Sequence, residues 1–362
     1  MTGAIDTNRM LRGVLLLLIV AISSCSSDDS PLICGEVEFV TKFPKEFAIS
    51  ETNPYLDNLM GMVSMKGADS LFIGIQNGSE YFVGIYSYNT GKKLADIFKE
   101  GQGPNEYTSW PSVLKTYVEN DSIYADFYIR QVGVLTLNLT ATVDGGSAQL
   151  VKRHIPSDIP ASNFFPLMTG DTIVRTINFD ERGGYSRRLL SGDKISDIPN
   201  LGGMEATWLD VSQNTLGGII MPINGDSVIV EAMNELNQIM VYSPYDQTLR
   251  KTICVGKSLD KVHKDDFISR RNRTTNYDGV QKWNDYVLFL YSPTTERDFR
   301  ENKGTSELQI FSNAMKPIAR ISLPILAQSF YINKDGMLYA FNPMGDSETI
   351  YKWDISNFIL QF

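Results

Sequence analysis

From residue 61 onward the chain is a succession of short apolar runs separated by polar turns. The runs are rich in Val, Ile, Tyr and Phe and too short for stable helices, so they read as strands. Residues 61–66, 71–75, 81–88 and 92–98 form one such series, with Asp69-Ser70 and Asn89-Thr90-Gly91 as the tight turns of its hairpins. Residues 218–223, 228–231, 238–242 and 248–255 repeat the order, and 287–291, 307–311 and 318–321 supply three strands of another series.

The turns recur at a fixed interval. Asp69, Asp121, Asp171, Asp226, Asp285 and Asp335 each precede an apolar strand, at spacings of 52, 50, 55, 59 and 50 residues. A repeat of this length built from short strands describes a propeller blade. The chain is therefore expected to be all-β, a six-bladed β-propeller with four antiparallel strands per blade. The last repeat offers 330–333, 337–341 and 349–353, with 358–360 as a candidate fourth strand. The alternating segment 36–43 is expected to pair with that repeat and close the ring, because an unpaired edge invites aggregation.

Alternating strand direction sorts the loops. Connections between strands one and two, and three and four, share a face and hold the tight turns. The opposite face is expected to hold every long connection: 99–109, 153–163, 178–184, 199–216, 256–279 and 292–306. Variable loops on a rigid frame are where binding residues collect.

The N-terminus follows different rules. Arg9 and Arg12 precede an apolar stretch, 14–22, that is too short to span a bilayer, and Ser23-Ser24-Cys25 follows. Ile22-Ser23-Ser24-Cys25 resembles the lipobox of bacterial lipoproteins, which implies removal of residues 1–24 and acylation of Cys25, with the lipid membrane as a partner. Residues 25–35 then form a polar tether, and 36–362 the propeller. The acidic stretch after Cys25 resembles the signal that sends some lipoproteins to the outer face of the outer membrane. The expected location is the outer membrane, on its periplasmic or, preferentially, its surface-exposed side.

Net charge of -9 and a pI near 4.9 argue against a nucleic-acid partner, which would need a basic stripe. Cys34 and Cys254 lack Cys or His neighbours at metal-ligand spacing, and a bond between them is not favoured. No metal or cofactor is expected. His154 and His263 are the two histidines, which leaves little room for a His-dependent triad or a three-His metal site. Carboxylate chemistry remains open through Glu106, Asp180, Glu181, Asp210 and Glu235 on the long-loop face.

Three groups on that face are candidate ligand contacts. Gly101-Gln102-Gly103-Pro104-Asn105-Glu106-Tyr107 permits a tight backbone path, but Pro104 and Trp110-Pro111 deny the helix a phosphate cradle would need, so a structural inter-blade turn competes with binding through Glu106 and Tyr107. Arg270, Arg271 and Arg273, with Tyr277 nearby and Arg297 on the neighbouring loop, could fork onto carboxylate, sulfate or phosphate. They could equally pair with Asp265, Asp266, Asp298 and Glu301. Trp110, Trp208 and Trp283 stand near the connections between blades, as stacking platforms or as core. The Asp-Ser and Asp-Thr turn triplets also resemble an O-glycosylation acceptor motif, beside their local role as turns.

The 101–107 motif, the tether and the six repeats together resemble the TolB-like six-bladed β-propeller lipoproteins, with Asn105 where Gly is commoner. The resemblance implies an exported, membrane-anchored propeller and carries no shared chemistry. The expected function is a binding or interaction module for a glycan or partner protein, through the long-loop face. The alternative is a carboxylate-dependent hydrolase or lyase acting on a polysaccharide or peptide at the channel mouth.

Overall fold

A computed structural model of the chain describes residues 33–56, 59, 61–130, 132–145, 150–153, 161–177, 185–198, 217–260 and 274–359. Three short strands come first: β1 (Glu36–Val40), β2 (Lys45–Ala48) and β3 (Pro54–Leu56). Blade one follows as β4 (Met62–Ala68), β5 (Leu71–Gln76), β6 (Tyr81–Ser87) and β7 (Lys93–Lys99). Blade two is β8 (Ser112–Glu119), β9 (Ser122–Ile129), β10 (Gly133–Asn138) and β11 (Val151–Arg153). Blade three is β12 (Ala161–Pro166), β13 (Thr172–Ile177), β14 (Tyr185–Ser191) and β15 (Lys194–Asp197). Blade four is β16 (Gly218–Ile223), β17 (Val228–Met233), β18 (Gln238–Tyr242) and β19 (Arg250–Val255). Blade five is β20 (Thr274–Trp283), β21 (Tyr286–Thr295), β22 (Glu307–Ser312) and β23 (Pro317–Ser322). Blade six is β24 (Ser329–Ile332), β25 (Met337–Asn342) and β26 (Asp346–Asp354), completed by β3. The first strands of the blades surround the axis, and β24 meets β4 to close the ring. This is a six-bladed β-propeller.

The turns use left-handed residues where hairpin twist demands them. Asn120 (φ 48°) and Asp121 (φ 59°) form the two-residue loop between β8 and β9, and both need φ > 0 as in a type I′ turn. Asn and Asp tolerate that region because their short side chains bond local backbone.

Closure differs from expectation in its details. β1 adds in parallel to β19, Glu36 beside Lys251, and β2 adds in parallel to β23, so the N-terminal segment belts blades four and five before β3 pairs with β26. The alternating pattern of 36–43 signalled an edge strand but carried no information on which edge. Of the candidate strand 358–360, the described residues belong instead to the short helix α3 (Ser356–Ile359). Two further helices sit in connections. α1 (Leu139–Val143) joins β10 to β11 on the tight-turn face, which breaks the expected segregation of long loops. α2 (Glu296–Arg300) lies in the connection after β21.

Each seam between neighbouring blades holds one apolar cluster. Ile73, Phe82 and Phe127 pack between blades one and two; Tyr277, Phe289 and Ile239 pack between four and five. At about 1.5–3 kcal/mol for each large apolar side chain removed from water, these seams hold the ring together.

Candidate functional site

The inner strands enclose an axial channel that widens at both ends. The cavity at the long-loop end measures about 610 Å³ and draws residues from all six inner strands; the one at the tight-turn end measures about 420 Å³. Both reach Lys66, Leu114, Ile220, Val280 and Phe330, which form the waist.

Carboxylates collect at the long-loop end. Asp278, Glu235 and Glu296 line it on the side of blades four and five. Glu296 is tied to Arg300 at 2.8 Å on the next turn of α2. Asp278 sits in β20 at the second of two register shifts, between Tyr277 and Gly279, and lines the cavity. Its Oδ2 is shielded from water and has no hydrogen-bond partner among the described residues, and burial pushes the carboxyl up to about 8. Asp278 is thus a protonated acid at neutral pH. Across the channel, Arg175 donates to the Gly218 carbonyl at 2.6 Å and lies over the Phe165 ring at 5.5 Å. Thr275, Gln328 and Ser329 add hydroxyl and amide groups, so this cavity offers donors and acceptors on an apolar floor.

The residues singled out from the sequence fall in several places. Glu106 does not line the channel. Its Oε2 accepts from the Gly103 amide at 2.8 Å and its Oε1 meets Lys99 at 3.2 Å. The Gly103 amide and then Lys99 hold its carboxyl below the usual range. A Cβ at Gly101 would lie 2.0 Å from that carboxylate, so the spacing of the motif is explained by Glu106 folding back into its own loop. Asn105 occupies φ 61°, which only Gly or Asn adopts cheaply. Tyr107 closes the loop through the Lys99 carbonyl at 2.9 Å and packs edge-on against Phe98.

Trp110 stands exposed just before β8, on the long-loop face. Trp283, expected at a corresponding place, lies at the opposite end. β20 starts at Thr274, inside the predicted loop, and carries Trp283 to the tight-turn end, where it donates to the Asn333 carbonyl at 2.6 Å. The same early start buries Tyr277, whose hydroxyl donates to Gln309 at 3.0 Å, away from both cavities. Arg297 is exposed on α2. Asp298 caps that helix through Thr295, and Glu301 meets Lys303, so both carboxylates have local partners. Cys25, Trp208, Arg270, Arg271, Arg273, Asp180, Glu181 and Asp210 lie outside the described residues. Cys34 and Cys254 are buried free thiols, each pushed up to about 11 by burial.

Asp278 was missed by sequence reasoning. Its signal is the interruption of alternation in β20, Asn276-Tyr277-Asp278-Gly279, visible only once the strand is recognised.

No family model matches the sequence, and no curated protein does. Among solved structures, the fold resembles a member of the DUF4221 family from Bacteroides vulgatus, with TM-score 0.55 and 12% identity over 89% of this chain and 98% of that one. A Bacteroides fragilis protein inferred to be exported is similar at TM-score 0.45 and 12% identity, over 88% of this chain and 97% of that one. At this identity the likeness speaks to the fold.

Proposed function

We propose that the protein is an exported, lipid-anchored binding module, related to the TolB-like propellers, that seats a glycan segment or a loop of a partner protein in the long-loop end of its channel. The observation that carries this reading is the cavity of about 610 Å³ walled by all six blades, with hydrogen-bonding groups above an apolar floor. Export and anchoring rest on the 1–24 signal and Cys25. Exposed Trp110 on the same face supports the assignment, and the 101–107 loop braces the connection that presents it.

A glycan array probed with the full chain tests this. Asp278→Asn and Gln328→Ala should weaken whatever binds, and an Arg270→Ala, Arg271→Ala, Arg273→Ala triple variant tests the arginine-rich segment that precedes β20 in the chain. Binding unchanged in all of these variants would remove the long-loop end from consideration.

A second reading is favoured by one observation. Asp278 holds a proton near neutral pH in a cavity that also contains Glu235 and Glu296, the acid and carboxylate pairing that glycosidic cleavage uses. Release of reducing ends from a bound polysaccharide, abolished in Asp278→Asn while binding persists, would establish catalysis.

A further inference from the structure

The two ends of the channel differ in charge. At the long-loop end Glu235 and Glu296 are accompanied by Arg175 and the protonated Asp278, whereas the tight-turn end is lined by Lys66, Lys115, Lys282 and Lys334 with Asp69 as the one carboxylate among the lining residues. These lysines come from blades one, two, five and six, on a protein whose net charge is -9. A basic mouth therefore opposes the overall field.

Lys66 is the key group. It reaches both cavities from β4, and no hydrogen bond or ion pair holds its ammonium among the described residues. Burial alone pushes its amine below the ordinary lysine range. Lys66 is half-buried, and an ammonium in a narrow channel with no anion beside it among the described residues is stabilised by an anion supplied from outside. Lys282 and Lys334 stand exposed at the rim, without an ion pair among the described residues. Lys115 is already engaged, with Asp126 at 3.7 Å and the Tyr117 ring at 5.2 Å. Low-dielectric walls focus the field of such a ring on the axis.

We propose that the tight-turn end of the channel is an oxyanion site, in which Lys66 binds a carboxylate or sulfate group of a small ligand while Lys282 and Lys334 draw it in from solvent. The volume of about 420 Å³ accommodates a single acidic sugar, and Trp283 and Tyr117 are among the lining residues. This site shares Lys66 and the apolar waist with the long-loop seat, but Lys115, Lys282 and Lys334 line only the tight-turn end.

Isothermal titration of the full chain with sodium glucuronate and with sodium sulfate, using glucose as the uncharged control, tests the proposal. Both anions should bind and glucose should not, and added chloride should weaken binding as screening predicts. Lys66→Met should weaken glucuronate about tenfold or more. A Lys282→Gln, Lys334→Gln double variant, confined to exposed positions and so safe for folding, should weaken it severalfold. Lys303→Gln, which removes an exposed lysine that lines neither cavity, should leave it unchanged. Equal binding of glucose, absence of anion binding, or wild-type affinity in both the double variant and a folded Lys66→Met would overturn the site. Loss of glucuronate binding in Lys303→Gln would overturn it too, by showing that surface charge at large, not the channel mouth, attracts the anion.

Discussion

Arg187 of blade three grips Glu231 of blade four in a bidentate pair, Nη2 to Oε1 at 2.7 Å and Nε to Oε2 at 3.2 Å, with both side chains out of solvent. Tyr242 donates a further hydrogen bond to Oε2 at 3.2 Å. Burial pushes the Glu231 carboxyl up, but the charges of Arg187 and Arg175 outweigh it and hold the carboxyl below its ordinary value. Removing one partner leaves a buried charge, so Glu231→Gln should cost about 3–5 kcal/mol at neutral pH, whereas a Glu231→Leu, Arg187→Met double variant should cost much less. The sign with pH follows from the depressed carboxyl. Its contribution is complete above the unfolded carboxylate value of about 4.3 and disappears as pH falls through the folded one. Urea unfolding between neutral and acid pH should show a steeper loss in wild type than in Glu231→Gln; parallel slopes would rule the pair out as the origin.

The seam that closes the ring depends on a missing side chain. A Cβ at Gly67 would lie 1.8 Å from the Tyr331 ring, which stacks on Tyr88 at 5.0 Å and donates to the Asp69 carbonyl. Gly67→Ala should therefore destabilise by about 1–3 kcal/mol through overpacking. Adding Tyr331→Ala should relieve the clash, so that the double variant is more stable than the sum of the two single losses. Strict additivity in thermal unfolding would show that the seam yields without strain.

The N-terminal belt separates two tasks. Chains starting after residue 50 lose β1 and β2 and expose the outer edges of β19 and β23, but keep β3 in blade six. They should close and then associate through those edges. Chains starting after residue 60 lose β3 as well, and should unfold at markedly lower urea. Light scattering and equilibrium unfolding distinguish the two; equal behaviour would mean that β3 does not secure the ring.

The ring was legible because each blade repeats a local rule: a turn with a left-handed Asp, Asn or Gly, then a strand, at nearly constant spacing. Blades one and four emerge almost residue for residue as their apolar runs suggest. The belt was not legible, since pairing across more than two hundred residues, as between Glu36 and Lys251, leaves no trace in local alternation. β20 was lost for a different reason. Its start is polar, Thr274-Thr275-Asn276, and two register shifts break its period, so Tyr277 and Asp278 carry no strand signal in the sequence. The basic mouth did leave a signal. Lys66 and Lys282 stand three residues before the turn residues Asp69 and Asp285, which puts both at the same level of their blades. In a single chain that coincidence looks like surface charge until the channel gives it a direction.

Asp278 gives the channel a pH signature. Its carboxyl titrates at about 8 in the folded protein because burial disfavours the charged form, against about 3.9 when unfolded. Below the unfolded value both states hold the proton and there is no penalty. As pH rises towards 8 the unfolded chain releases the proton while the native one keeps it, so stability falls across that window and levels off above it. Asp278→Asn cannot titrate. It should flatten this slope and gain about 1–3 kcal/mol over wild type at alkaline pH, a range set by the cost of an unpaired buried polar group. Thermal unfolding at intervals from pH 5 to 9, the span about the cited value, checks both points. Wild type and variant running parallel would show that Asp278 is ionised in the native protein, and would also remove the protonated acid on which the catalytic reading depends.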